Sequence, residues 1–251
     1  MGVFKLKKGY DIPLQGSAER RVEKAPKTTA VAVQPIDFRG LRPAMKVEAG
    51  DKVSRGSILF VDKQKPEILF RSPAAGTVRE VVRGERRVIQ RVIIDVAGDT
   101  AEKFDSYTAD QVNAFSTSQA KELLLNSGLW PAIRQRPFSK IADVEASPKA
   151  IIISAVDSAP LQAESDILLD GQEKTFQLGI QLLSKLTEGK IHLSVSEKTK
   201  AFFSNISGVE LHEFSGPHPA GNVGVQIHHI DRIQAPEKVW YLSPRHVSQL
   251  G

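Results

Sequence analysis

The chain contains no cysteine. Disulfides, thiolate zinc sites and cysteine-held iron–sulfur clusters are therefore excluded within it. Long apolar runs are also missing. Nothing approaches the roughly 20 residues that span a bilayer, and Ala150-Ile151-Ile152-Ile153 has only the length of a buried strand. No apolar stretch follows the lysines of Met1-Gly2-Val3-Phe4-Lys5-Leu6-Lys7-Lys8, so the opening does not read as a signal peptide. Internal repeats and low-complexity tracts are lacking too. If the protein serves a membrane process, it is expected to do so from the aqueous side.

What is present describes a globular protein. The 251 residues are 41% hydrophobic and 25% charged, enough for one large domain or two ordinary ones with a packed core. Part of the net charge of +5 lies in Arg20-Arg21 and in Arg83-Gly84-Glu85-Arg86-Arg87-Val88-Ile89-Gln90-Arg91. The second group surrounds an expected hairpin without interleaved aromatics. It reads as a solvated strand face, or as a contact for an acidic protein or anionic surface, and not as a nucleic-acid footprint.

The first hundred residues read as short β-branched strands cut by Gly, Pro and Asp, over 29–33, 57–61, 67–70, 76–82 and 88–96. A helix is expected over 108–126, with Ser118 as a cap and Gly128 as a stop, followed by an irregular connector over 130–148. From residue 149 the pattern alternates. Strands are expected over 150–154, 190–195, 209–214 and 239–242, with helices over 173–187, 197–206 and from Pro244. Such alternation predicts a mainly parallel sheet with helices on its faces. The expected architecture is thus an N-terminal strand and a biotinyl/lipoyl-like β barrel over 1–98, a helical and irregular connector over 99–148, and a Rossmann-like α/β domain over 149–251.

Four constellations carry possible chemistry. Val47-Glu48-Ala49-Gly50-Asp51-Lys52-Val53, with Ser72-Pro73-Ala74-Ala75-Gly76-Thr77-Val78, has the pattern of biotinyl and lipoyl carrier barrels. Lys63 would then be the modified lysine, although Pro66 and a longer spacing to Gly76 argue for a barrel without a prosthetic group. After the first α/β strand the chain reads Ser154-Ala155-Val156-Asp157-Ser158-Ala159-Pro160, not Gly-x-Gly-x-x-Gly. A dinucleotide is not expected at that turn. The loop Gly216-Pro217-His218-Pro219-Ala220-Gly221 follows a strand's carboxyl end, where open α/β folds gather ligands. Gly216, His218 and Gly221 either form a ligand loop or belong to a polyproline-like turn that His218 orders. His228-His229, read as strand neighbours on opposite faces, point to no metal site.

Several blocks together carry a family resemblance. Lys8-Gly9-Tyr10-Asp11-Ile12-Pro13-Leu14, Asp37-Phe38-Arg39-Gly40-Leu41-Arg42-Pro43, Leu59-Phe60-Val61-Asp62-Lys63, Arg134-Gln135-Arg136-Pro137-Phe138-Ser139-Lys140, Leu186-Thr187-Glu188-Gly189-Lys190 and the 216–221 loop resemble the NqrA family, one of the subunits of the Na+-translocating NADH:quinone oxidoreductase. The resemblance implies a peripheral subunit on the cytoplasmic side of a bacterial inner membrane. Its partners would be the other subunits of a Na+-pumping complex, with ubiquinone or menaquinone as substrate. It also implies that NADH, flavins and iron–sulfur centres are held by partner subunits and that this chain binds no cofactor of its own. Family members continue into a β-grasp domain and a helical tail, so this chain would correspond to their N-terminal portion. Quinone contacts are expected from Phe38, Arg39, Gly40, Trp130, Arg134, Arg136 and Phe138, which supply aromatic and cationic groups near the domain junction. The competing reading is that Trp130 and Phe138 staple the connector to the core. A lipoyl or biotinyl carrier and a stand-alone flavoenzyme remain as rival functions.

Overall fold

A computed structural model describes residues 2–16 and 19–251. Strand β1 (Gly2–Lys5) precedes the barrel in the chain. The barrel strands are β2 (Ala30–Val33), β3 (Pro43–Met45), β4 (Lys52–Val53), β5 (Ile58–Asp62), β6 (Leu69–Arg71), β7 (Gly76–Arg83) and β8 (Ile89–Val96). They form two small sheets, β2-β8-β7-β4 and β3-β5-β6, which bury Leu59, Phe60, Phe70, Val78, Val92 and Ile94 between them. Gly76 is required here, because a Cβ would lie 1.9 Å from the Asp95 carbonyl oxygen across the β7–β8 ladder.

Two short helices follow, α1 (Ala109–Asn113) and α2 (Thr117–Ser127), where one helix is expected from the sequence. The break has a local cause. Thr108 and Ser116 each form a capping box, with Gln111 and Gln119 respectively, so the chain holds two helix starts eight residues apart. The cap of the longer helix is Ser116 and not Ser118. Gly128, in the left-handed conformation at φ 74°, ends it as expected.

The remaining elements are β9 (Arg134–Arg136), β10 (Lys140–Ile141), β11 (Ala150–Ala155), α3 (Ser165–Leu168), α4 (Glu173–Ser184), β12 (Lys190–Val195), α5 (Lys200–Phe203), β13 (Glu210–Ser215), α6 (Val223–Ile230), β14 (Val239–Leu242) and α7 (Pro244–Leu250). They build a seven-stranded sheet in the order β1-β13-β12-β11-β14-β9-β10. The strands from β1 to β14 are parallel, and the β9–β10 hairpin adds an antiparallel edge. Strand order reverses between β12-β11 and β14, which puts a crevice at the carboxyl ends of β11 and β14.

The sheets do not follow the divisions expected at residues 98 and 148. Gly2–Lys5, expected with the barrel, is an edge strand of the α/β sheet, with Phe4 stacked on Phe214 at 4.7 Å. The expected irregular connector supplies the opposite edge, β9 and β10. The expected helix over 197–206 shrinks to the single turn of α5.

α4 and α7 cover one face of the sheet. Gly179 of α4 permits their contact, because a Cβ there would meet the Val247 carbonyl oxygen at 2.0 Å. α6 covers the other face through Val223 and Ile227, on Ile152 and Val239. The apolar core is continuous from the barrel through Leu124, Trp130 and Ile133 to Ile151, Leu193 and Phe176.

Candidate functional site

The barrel and the α/β domain meet along a cleft of about 770 Å³. Its barrel wall is formed by Arg39, Gly40, Leu41, Asp62, Gln64, Lys65 and Ile68. The opposite wall comes from the β9–β10 hairpin and from the segment leading into β14: Gln135, Phe138, Lys140, Ile141, Asp143, Ile233 and 235–238. Apolar side chains therefore alternate with donors, as in sites that hold a ring and orient its polar atoms.

One carboxylate links the walls. Asp143 accepts hydrogen bonds from Lys65 of the β5–β6 turn and from Lys238 Nζ at 3.4 Å. The Lys65 contact first, and the other donors after it, hold the Asp143 carboxyl below the usual carboxylate range. Beneath it, buried Gln135 Oε1 accepts from Trp240 Nε1 and from the Asp143 amide, both at 3.2 Å. The floor is thus a fixed polar network.

The β9–β10 turn has an unusual occupant. Phe138 and Ser139 both take positive φ, 76° and 55°. The last paired residues are Gln135 and Lys140, so four residues make the connection, and positions at positive φ favour Gly and Asn because L residues with a bulky side chain are strained there. Phe138 is nevertheless 60% exposed, so its ring is not held there by burial. Lys140 Nζ lies 5.9 Å from the ring centroid. Ser139 Oγ is hydrogen-bonded to the Tyr241 hydroxyl, which fixes the turn against β14.

The seven residues expected to contact quinone separate into groups. Arg39, Gly40 and Phe138 line the cleft, and Arg39 Nη1 donates to the Phe138 carbonyl at 3.4 Å. Phe38 and Arg134 stand behind its rim. Phe38 packs edge-on against Phe70 at 4.9 Å, and the Arg134 guanidinium lies 5.3 Å from the Phe38 ring while donating to the Ser139 carbonyl at 3.2 Å. Trp130 and Arg136 do not reach the cleft. Trp130 is 0% exposed, donates from Nε1 to the Ala142 carbonyl at 2.9 Å and meets Trp240 edge-on at 5.5 Å. Arg136 turns over the Tyr241 ring at 5.5 Å and lines a separate 350 Å³ cavity. Lys65, Asp143 and Lys238 are cleft residues that the sequence does not single out, and Lys140 enters it only as the end of the 134–140 block. Isolated charges carry no pattern, and only the fold brings them together.

The 216–221 loop lies at the carboxyl ends of the parallel strands. Its glycines admit protein backbone. A Cβ on Gly216 would lie 2.2 Å from the Leu6 carbonyl oxygen, and one on Gly221 would lie 2.5 Å from both Ser158 Oγ and the Val156 carbonyl oxygen. The Gly221 amide donates to Ser158 Oγ at 2.8 Å, and that hydroxyl is hydrogen-bonded to His218 Nδ1 at 3.1 Å. Asp11 receives the His218 backbone N–H at 2.8 Å, so the three side chains form no Ser–His–Asp relay. The Tyr10 amide donates to the His218 carbonyl at 2.8 Å. Two separated sequence blocks, around Gly9 and around His218, are therefore one structural unit. A cavity of about 690 Å³ opens beside it, lined by Tyr10, Asp157, Ser158, Lys198 and His218 among others.

Lys63 is exposed at the start of the β5–β6 turn, but its near neighbour Lys65 ties the turn to Asp143. A carrier lysine needs a free tip that reaches a modifying enzyme, which this docking opposes. The segment after β11 runs through residues 156–164 to the four-residue α3, so no long helix opens where a dinucleotide binder would have one. His228 and His229 lie on α6 and not on a strand. Among the described residues no helix is long and apolar enough to cross a membrane.

The two modules define a barrel-sandwich hybrid joined to an α/β domain. Residues 4–97 match the family model described as the NqrA N-terminal barrel-sandwich hybrid domain, and residues 115–251 match the NqrA second alpha/beta domain. The chain belongs to the NqrA family. It is 40% identical over 249 residues to the A subunit of the Na(+)-translocating NADH-quinone reductase of Pseudomonas aeruginosa strain PAO1, covering 99% of this chain and 56% of that protein. The corresponding Pasteurella multocida protein is 39% identical, with 98% and 55% covered. The chain thus spans about half the length of the curated relatives it matches. A solved NAD+-reducing [NiFe]-hydrogenase chain is similar at a TM-score of 0.42 and 12% identity over 58% of this chain and 33% of that one, too weak a likeness to carry weight.

Proposed function

We propose that this chain works within a Na+-translocating NADH:quinone reductase, where the cleft between its modules contacts the quinone. The relatives' names supply the reaction, and the cleft supplies a place for this chain in it. Phe138 carries the reading: an exposed aromatic ring held in a conformation that favours Asn or Gly is a local cost without a packing return. A ring-shaped ligand gives it a purpose. The quinone ring would lie against Phe138, with Leu41, Ile68 and Ile141 around it and the cations Arg39 and Lys140 near its carbonyl oxygens.

The reading leaves electron delivery to partner subunits, which would hold the flavins, the iron–sulfur centres and the NADH site. This chain's residues bind and orient, and would sit at the membrane surface on the cytoplasmic side. Replacing Arg39 or Lys140 with Ala in the assembled complex is expected to raise the KM for quinone by about tenfold, in keeping with loss of one charge-assisted hydrogen bond. NADH oxidation with an artificial electron acceptor should be unchanged. Equal losses in both assays, or an unchanged quinone KM, would remove the proposal.

A further inference from the structure

The sheet face beneath α6 carries polar groups that the cleft does not use. In β12 and β13 the register pairs His192 with Glu210 and Ser194 with His212. Residues two apart in a strand share a face, so His192 and His212 lie diagonally across neighbouring strands with Glu210 beside the first. Their ligand atoms converge to within 4.8 Å of one another. His192 Nδ1 is 2.9 Å from His212 Nε2 and 3.5 Å from Glu210 Oε2. His192 and His212 are only 5% and 8% exposed.

We propose that His192, Glu210 and His212 form a binding site for a divalent cation of the zinc class, which clamps β12 to β13. The donor separations are the main support. Tetrahedral coordination with metal–nitrogen bonds of about 2.0 Å places ligand atoms about 3.3 Å apart, and the two observed separations lie on either side of that figure. Two imidazoles and one carboxylate suit zinc or a similar first-row ion. The fourth position would fall to water, since the Glu210 side chain is 43% exposed and leaves a path to solvent.

The surroundings agree. The His192–His212 hydrogen bond uses Nε2 of His212, and Nδ1, on the side of the ring away from the proposed ion, is buried with no partner among the described residues. Ser194 Oγ, on the register neighbour of His212, is likewise buried and unpartnered. Gly2 of β1 makes room for the ring, because a Cβ there would stand 3.0 Å from His212 Nδ1. Lys190 engages Glu210 Oε1 and leaves Oε2 facing His192. The site is separate from the interdomain cleft and does not depend on the quinone reading.

The test is zinc stoichiometry on the whole chain after chelator treatment, by calorimetry and elemental analysis, with Co2+ absorption as a spectroscopic reporter. One equivalent of Zn2+ and a tetrahedral-type Co2+ spectrum are expected. H192Q and H212Q should abolish both. E210Q, at a half-exposed position that folding tolerates, should weaken binding by about tenfold or more. The double variant H228Q/H229Q should leave binding intact. Failure of the wild-type chain to take up one equivalent would overturn the site. So would E210Q binding as tightly as wild type, or loss of binding in the α6 double variant alone.

Discussion

Replacing Phe138 with Asn should make the chain more stable and the assembled enzyme worse at using quinone. The two effects come from the same residue by different routes. At φ 76° a non-glycine L residue pays about 1–2 kcal/mol relative to its preferred regions, and Asn pays least of the side-chain-bearing residues. Relief of about 1 kcal/mol is therefore expected. Against it stands the loss of the exposed Phe138–Lys140 contact, worth about 0.5 kcal/mol at most. Because the ring is 60% exposed, little apolar burial is surrendered. The net gain is about 0.5 kcal/mol, or roughly 1–2 °C in Tm for a chain of this size. Urea denaturation of the F138N chain gives the stability term, and quinone titration of the complex gives the functional one. A stability loss above about 1 kcal/mol would show that Phe138 is a staple for the hairpin. Unchanged quinone kinetics would show that the strained ring serves something else.

Trp130→Phe should have the opposite profile. It leaves the buried Ala142 carbonyl without its donor and opens space beside Trp240, so a loss of about 2–4 kcal/mol is expected in chemical unfolding, with the quinone KM of the folded complex unmoved. Gly179→Ala, which in an open helix would stabilise by up to about 1 kcal/mol, should here destabilise by about 1–3 kcal/mol in the same measurement, because the new methyl meets the Val247 carbonyl oxygen. Asp143 has a depressed carboxyl pKa, so its contribution is present above the unfolded value near pH 4 and is lost as pH falls through the lower folded value. Stability measured against pH should place wild type above D143N by up to about 1 kcal/mol at neutral pH, with the two converging below about pH 4.

How much of this was legible depended on whether the determining contacts were local. β8, β11, β12 and β14 follow from apolar runs whose neighbours on either side break the pattern, and they appear within a residue or two of their expected bounds. The carrier-like turns around Gly50 and Gly76 likewise announced the barrel. By contrast, an N-terminal strand is expected with the barrel, but nothing in the four residues of β1 shows that its partner is β13 of the other sheet. β9 holds two arginines in three residues, a composition that reads as loop until β14 pairs with it. Three of the seven proposed quinone residues share the cleft, because the motif blocks lie near the junction. Whether a given side chain turns into it was not encoded locally. Alternation within β9 sends Gln135 into the floor and aims Arg136 at another cavity. The two helix starts at Thr108 and Ser116 were readable, since each has its Gln three residues on. The pairing of Gly9 and Asp11 with His218 spans most of the chain and left no local trace.

The most direct test of the cleft is photolabelling of the assembled complex with a quinone carrying a photoreactive group on its ring, followed by peptide mapping. Label should appear on this chain in peptides covering 137–143 or 233–238, and excess unmodified quinone should displace it. Label confined to other subunits, or found here only beside Ser158 and His218, would contradict the account.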